Sequence, residues 1–312
     1  MTTITASLVK QLRDKTGAGM MDCKTALTET KGRIDEAVDW LRKKGLSKAD
    51  NKAGRVAAEG LIGVTAKGGT GAMVEINAET DFVARNAQFQ AMVRNITKQA
   101  PAAEGDLARL LAMDYPGRSV TIADQIRETI ATIGENMSLR RTVAVSVGEG
   151  HIAEYVHNKA AEGLGKIGVL VALESKGDAA ALASFGRRLA MHIAAANPAA
   201  VTAEELDPAL VAREREVYSE QARASGKPAA IAAKMVEGRL RKEFYQQVVL
   251  MQQTFLGAGG DGKASVAEIL SGAEKAVGAP IRIAKFARFA LGEGIDRKEG
   301  DFAAEVAAAV KR

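Results

Sequence analysis

Residues 71–86 read GAMVEINAETDFVARN, and residues 168–183 read GVLVALESKGDAAALA. Laid over one another at an offset of 97, they follow one plan: an apolar run, a polar turn, an Asp and a helical stretch. The overlay runs without a gap from Gly71 to Pro101 and from Gly168 to Pro198. Identities are few: the leading Gly, two apolar anchors, Asp81 with Asp178, and Pro101 with Pro198. A short apolar run bounded by turn residues is a buried strand, and a Pro ends the helix that follows it. The overlay therefore suggests a duplicated unit of strand, turn and helix. Where the first copy has Thr80-Asp81-Phe82-Val83-Ala84-Arg85-Asn86, the second has Gly177-Asp178 followed by alanines. If both copies share a fold, Phe82, Arg85 and Asn86 exceed what the fold needs, which makes the first turn the candidate functional site.

Outward from this repeat, Leu61–Ala66 and Ala72–Ala78 read as a hairpin around Gly68-Gly69-Thr70-Gly71. Asp81–Lys98 reads as a helix with Phe89, Met92, Val93 and Ile96 on one face. Asp81 could cap it, with Phe82 anchored over its first turn. Ile122, Ile126, Ile130 and Ile133 form a second stripe. Thr142–Val147, His151–Val156 and Ile167–Leu173 alternate as strands, and a helix from Ala179 stops before Pro198. Glu204–Gln247 is helical apart from Gly226-Lys227-Pro228, an αα-hairpin signature. Leu210, Val217 and Ala224 are spaced by seven within it, as in a short antiparallel coiled coil. Ser265–Ser271 begins another helix, Ile281–Leu291 is a strand, and Asp301–Lys311 a terminal helix.

The N-terminal stretch reads as three short helices. Ile4, Leu8 and Leu12 recur every four residues with Gly17 as a stop; Asp22 caps the second helix, and Asp35 the third, which ends near Gly45. Leu46–Arg55 is polar and reads as a tether. This stretch also carries the charge. Of 43 Lys+Arg and 38 Asp+Glu, residues 1–55 hold twelve and seven, so the whole net +5 lies there and the remainder is neutral. Basic charge suggests nucleic acid. Here acids interleave and Trp40 is the only aromatic, so no stacking platform is present, and a solvated helical module is the preferred reading.

Composition and motifs exclude much else. With 47% hydrophobic and 26% charged residues over 312 positions, the chain is a globular protein of roughly two domains. Its longest uncharged stretch, Phe244–Gly260, is broken by glutamines and glycines and cannot span a membrane. MTTITASLVKQLR has no apolar signal region, and the single cysteine, Cys23, excludes a disulfide framework; a reducing cytoplasmic location is expected. GAGGDGKA at 257–264 approaches a phosphate loop but has Ala264 where a hydroxyl would meet magnesium, and Gln252 and Gln253 interrupt the preceding run. It reads as a linker. His151, His157 and His192 lack metal-ligand spacing, and His192 reads as a packed core residue. No nucleophile, base and orienting group assemble, so no catalytic residue and no cofactor are expected.

Several long strings resemble the bacterial translation elongation factor Ts family over essentially the whole chain. They are ITASLVKQLRDKTGAGMMDCKTAL from Ile4, TDFVARN from Thr80, Gly134-Glu135-Asn136 with Arg140-Arg141, SGKPAAIAAKMVEGR from Ser225, and RFALGEGI from Arg288. The resemblance implies an α+β fold. It divides the chain into a ubiquitin-associated-like three-helix module with its tether (1–55), a first core subdomain (56–145) and a related second one (146–203 and 248–296). A coiled-coil hairpin is inserted at 204–247, and a C-terminal helix follows at 297–312. It further implies a non-enzymatic guanine-nucleotide exchange factor that binds the GDP form of elongation factor Tu and promotes GDP release. Thr80, Asp81, Phe82 and Val83 would displace the GTPase's magnesium, with Phe82 as a wedge between two of its helices. Arg85, Asn86, His157, Met20 and Met21 would make secondary contacts, His157 near the phosphate loop. Two segments depart from the family: 158–167 (NKAAEGLGKI) is longer than its short versions, and GAGGDGKA replaces a more ordinary loop. The arm could pair two copies. A different class, a basic module recruiting RNA or the ribosome, would show a steep salt dependence localised to residues 1–55.

Overall fold

The structure, a computed structural model, describes residues 4–226, 228–257 and 262–296, and describes residues 46–50 by backbone alone. The terminal helix expected at 301–311 lies outside the described residues. Three helices, α1 (Ala6–Thr16), α2 (Met20–Glu29) and α3 (Ile34–Asp50), open the chain. They enclose a small core of Val9, Leu12, Cys23, Ala26, Leu27 and Ala37. Gly17 ends α1 at φ 69°, a left-handed cap as expected. The other two expected caps shift. Gly19 precedes α2, so Asp22 lies inside its first turn, where it pairs with Lys44 at 3.4 Å, and Asp35 likewise falls inside α3.

Gly45 does not end α3, which runs on to Asp50. A Cβ at Gly45 would stand 2.9 Å from that of Ala131, so this glycine serves a close helix crossing instead of a stop. The crossing partner is α6 (Ile122–Ile133), reached after β1 (Glu59–Lys67), β2 (Thr70–Ala78), α4 (Ala87–Gln99) and α5 (Leu107–Ala112). Arg42 pairs with Glu128 of α6 at 3.5 Å, and Lys52 donates to the Gly134 carbonyl just beyond it. The basic module is thus docked on the body, and the expected tether shrinks to residues 51–55.

The remaining elements are β3 (Met137–Ser146), β4 (Gly150–His157), β5 (Leu164–Gly165), β6 (Ile167–Glu174) and α7 (Ala179–Ala196). Next come α8 (Pro208–Ala224), α9 (Ala229–Arg239), a π-helical turn (Leu240–Tyr245), the short α10 (Gln246–Val248), α11 (Val266–Val277) and β7 (Arg282–Ala290). Two antiparallel sheets result, ordered β3-β2-β1-β5 and β4-β6-β7. In each, an inner strand leads to a long helix, β2 to α4 and β6 to α7, and a later helix leads to the strand at its edge, α6 to β3 and α11 to β7. The segment 158–167 is no free loop: it contains β5, which joins the opposite sheet beside β1.

Alternation along the strands separates three layers of core. Leu61, Val74 and Ile76 face α4 and α6, where Phe89, Met92 and Ile126 meet them. Val169, Val171 and Leu173 face α7 and α11. Ile62, Val64, Met73, Ile152, Val156 and Leu170 fill the space between the sheets. Burial on both faces explains why β6 reads as a continuous apolar run and why β2 is enclosed along almost its whole length, Glu75 and Asn77 included.

The α8–α9 arm has its own core of Tyr218, Ala222, Val236, Leu240 and Phe244. Arg239 stacks on Tyr218 at 4.3 Å. The seven-residue series Leu210, Val217, Ala224 is not the seam. All three are exposed, and the packed set lies one residue further on, at Val211 and Tyr218. A large Tyr beside the smaller Val217 turns its own face inward.

Candidate functional site

Beyond β2 the expected single helix over Asp81–Lys98 is split. Val83–Arg85 form a 3-10 turn, and α4 begins only at Ala87. Asn86 is the cap: its side-chain oxygen accepts from the N–H groups of Gln88 (2.9 Å) and Phe89 (3.1 Å). In the second copy Asp178 caps α7 directly, accepting from Ala181 at 2.7 Å. Asp81 therefore does not hold the place its aligned partner holds. The extra turn between strand and helix carries Thr80-Asp81-Phe82-Val83.

That turn separates its side chains sharply. Val83 and Ala84 are buried in the core beneath it. Phe82 points outward and is 75% exposed, so it is no anchor over the helix. Asp81, Arg85 and Asn86 are exposed as well. The turn is nevertheless fixed. Gln90 donates from its amide to the Ala84 carbonyl at 2.8 Å, closing the 3-10 turn against α4. On the other side Glu135 accepts from Thr80 twice, from the backbone N–H at 2.9 Å and the hydroxyl at 2.7 Å. Glu79 in turn accepts from the Asn136 N–H at 2.5 Å, and the Asn136 side chain donates to the Arg55 carbonyl at 2.7 Å.

Met20 and Met21 start α2 and are 52% and 71% exposed. The starts of α2 and α4 border one cleft of about 380 Å³, lined by Ala18, Asp22, Arg42, Gln88, Gln125 and Glu128 among others. Exposed Met and Phe side chains are the adaptable and rigid apolar groups that protein interfaces favour. His157 ends β4, is exposed, and has Nδ1 3.1 Å from the Tyr155 hydroxyl. Among the described residues no hydrogen bond or ring contact joins it to the Phe82 turn.

Sequence reasoning missed the residues that hold the turn. Glu79 and Glu135 sit 57 and 55 positions from their partners and Gln90 six from its own, and no local pattern advertises such pairs. It likewise missed a buried ionic cluster. Glu75, fully buried, accepts from Arg140 at 3.2 Å, from Arg141, from Asn77 at 3.1 Å and from the Gly292 N–H at 2.8 Å. A β-bulge sets Arg140 as an extra residue opposite the Glu75/Ile76 step, so that both arginines reach one carboxylate. Arg141 also stacks on Phe289 at 4.2 Å and donates to the Ala290 carbonyl at 3.0 Å. Two strings far apart in sequence, Arg140-Arg141 and RFALGEGI, thus meet in one place.

The remaining candidates are structural. His192 is buried, stacked on Phe255, with Nε2 2.9 Å from Gln253 Oε1 and Nδ1 accepting from the Leu256 N–H at 3.0 Å. Cys23 is buried, and burial raises its thiol pKa, opposite to what a nucleophile needs. The Gly-rich stretch follows a 3-10 turn, not a strand, and Thr254 and Ser265 bridge its base; residues 258–261 lie outside the described residues. Among the described residues no group of His, Cys, Asp or Glu could hold a metal, and no helix is long and apolar enough to cross a membrane.

The α+β scaffold and its projecting apolar turn do not by themselves name a family, and comparison with known proteins does. Residues 79–293 match the family described as Elongation factor TS. Elongation factor Ts of Parvibaculum lavamentivorans is 59% identical over 311 residues, covering 100% of both chains. Those of Mesorhizobium japonicum and Bartonella henselae are 57% and 56% identical over 99% of each chain. The chain belongs to the elongation factor Ts family.

Proposed function

We propose that this protein is a cytoplasmic guanine-nucleotide exchange factor for elongation factor Tu, acting by contact and without chemistry of its own. Phe82 carries the reading: a large apolar ring, three-quarters exposed, on a turn hydrogen-bonded on both sides. A fixed aromatic exposed in this way costs solvation in the free protein and recovers it on entering a partner's pocket. Inserted between helices of the GTPase beside its magnesium, the ring would displace ligands of an ion that demands near-ideal octahedral geometry. Asp81, Arg85 and Asn86 lie exposed around it, while Val83 anchors the turn from below.

One ring contributes about 2–3 kcal/mol, a factor of tens to a hundred or so, so other contacts must share the weakening of GDP. Met20 and Met21 supply an apolar surface on the docked module, and His157 a polar one at the end of β4. Linkage demands that GDP weaken the factor's affinity as much as the factor weakens that of GDP. The test is release of fluorescent GDP from purified elongation factor Tu. The wild-type chain should accelerate it and Phe82→Ala should lose most of the acceleration; an unchanged rate in the variant would remove the wedge.

The module's charge supports protein docking more than nucleic acid. Lys15, Arg33, Arg42 and Lys44 pair with Asp35, Glu36, Glu128 and Asp22. Trp40 is half-buried with Lys44 Nζ 4.7 Å from its ring centre, which leaves no open platform for a base.

A further inference from the structure

A ring that is three-quarters exposed gains little direction from packing, so the backbone on either side must aim it. On its far side the 3-10 turn and the Asn86 cap do this. On its near side the regular ladder has already ended, since Ala78 paired with Met137 is the last pair of β2 and β3. The next two residues of each strand continue the pairing by other means. Glu79 takes the Asn136 N–H and Glu135 takes the Thr80 N–H, so each carboxylate stands in for a backbone carbonyl of the opposite strand. The strands can then diverge while remaining bonded. Both carboxylates use both oxygens, but the second oxygen of Glu79 pairs with Arg55 at 3.5 Å, whereas that of Glu135 holds the Thr80 hydroxyl, so Glu135 alone grips the turn twice. A carboxylate only accepts and has two oxygens, which suits two donors of one residue, and such charge-assisted bonds are roughly twice as strong as neutral ones. The Glu135 turn is itself fixed behind, by Asn136 on the Arg55 carbonyl and by Lys52 on the Gly134 carbonyl.

We infer that Glu135 is a positioning residue: by clamping Thr80 two residues before Phe82, it sets the direction in which the ring meets the partner GTPase. The inference rests on the exchange reading above. Release of fluorescent GDP from elongation factor Tu, measured against factor concentration, separates it from a merely structural role. Glu135→Ala should lower the maximal release rate about tenfold and leave the half-saturating concentration within about twofold, because the other docking surfaces are untouched. Glu135→Gln, which can accept from the N–H and donate to the hydroxyl, should recover most of the rate. A Phe82→Ala/Glu135→Ala double variant should be no slower than Phe82→Ala alone, since Glu135 acts through the ring. A normal maximal rate in Glu135→Ala, a change confined to half-saturation, or additive losses in the double variant would each overturn the inference. If the wild-type chain failed to accelerate release, or Phe82→Ala matched it, the exchange reading would fail first, whatever Glu135 does.

Discussion

Gly71 and Gly168, 97 residues apart, stand on opposite sheets, and each faces branched side chains of the other. A Cβ at Gly71 would come 2.7 Å from the Ile152 methyl; one at Gly168 would come 2.7 Å from methyls of both Ile62 and Val64. These are the glycines that lead the two halves of the repeat. Each removes a side chain where the other sheet leaves no room for a Cβ, so the leading Gly of the pattern answers to packing between layers and not to a turn.

Gly168→Ala should therefore destabilise the protein by about 1–3 kcal/mol, because a methyl forced into a filled interior displaces its neighbours. Gly272→Ala, in the exposed middle of α11 where an added Cβ meets nothing within 4 Å, should stabilise by about 0.5–1 kcal/mol. Urea unfolding of the two variants checks both signs at once.

Phe82→Ala should leave stability within about 0.5 kcal/mol of wild type, since an exposed side chain leaves no cavity. Val83→Ala, one residue on but buried, should cost about 2 kcal/mol. GDP release should respond in the opposite order, with Phe82→Ala slowing it by tens-fold or more and Val83→Ala affecting it little in the folded protein. Melting curves and release kinetics on the same preparations provide the comparison.

The repeat, the hairpin and the long helices were readable because burial imposes a period. Ile122, Ile126 and Ile130 are all buried along α6, as their spacing predicts. What could not be read depended on partners distant in the chain. Gly45 looked like a stop because the Ala131 it touches is invisible locally. Asp81 looked like a cap because the 3-10 turn that displaces it is fixed by Glu135 and Gln90. β3 was read five residues short, from Thr142 instead of Met137, because Arg140-Arg141 interrupts the alternation, and only the bulge opposite Glu75 reconciles two adjacent cations with a strand. The six residues of α5 are too few to show a period at all. Within the site, the comparison of the two copies singled out Phe82, yet nothing in the sequence identified what holds it.

Glu75→Ala should cost about 3–5 kcal/mol, because it leaves Arg140 and Arg141 partly buried without the carboxylate they share and strips Gly292 of its acceptor. The cluster fastens the end of β7 to the first sheet, so proteolysis beyond Ala290 should also accelerate. Denaturant unfolding measures the first effect, and limited digestion followed by mass spectrometry the second.

His192 makes stability depend on pH. Burial holds its pKa below the ordinary 6.5, with the Gln253 contact opposing in part. With Nδ1 accepting the Leu256 N–H and Nε2 toward Gln253 Oε1, the neutral ring with its proton on Nε2 satisfies both partners. A second proton could only go to Nδ1, against an N–H donor. The unfolded chain titrates near 6.5 and so binds more protons than the native state just below that pH. Stability must then be greatest above it and fall as pH drops, by at most about 1.4 kcal/mol per unit for one histidine. Burial also lowers His151, which adds in the same direction. Urea midpoints at about pH 7.5 and about pH 5.5 should fall on acidification in the wild type, and fall less in His192→Gln even though that variant is weaker throughout. An equal drop in both would assign the pH dependence elsewhere.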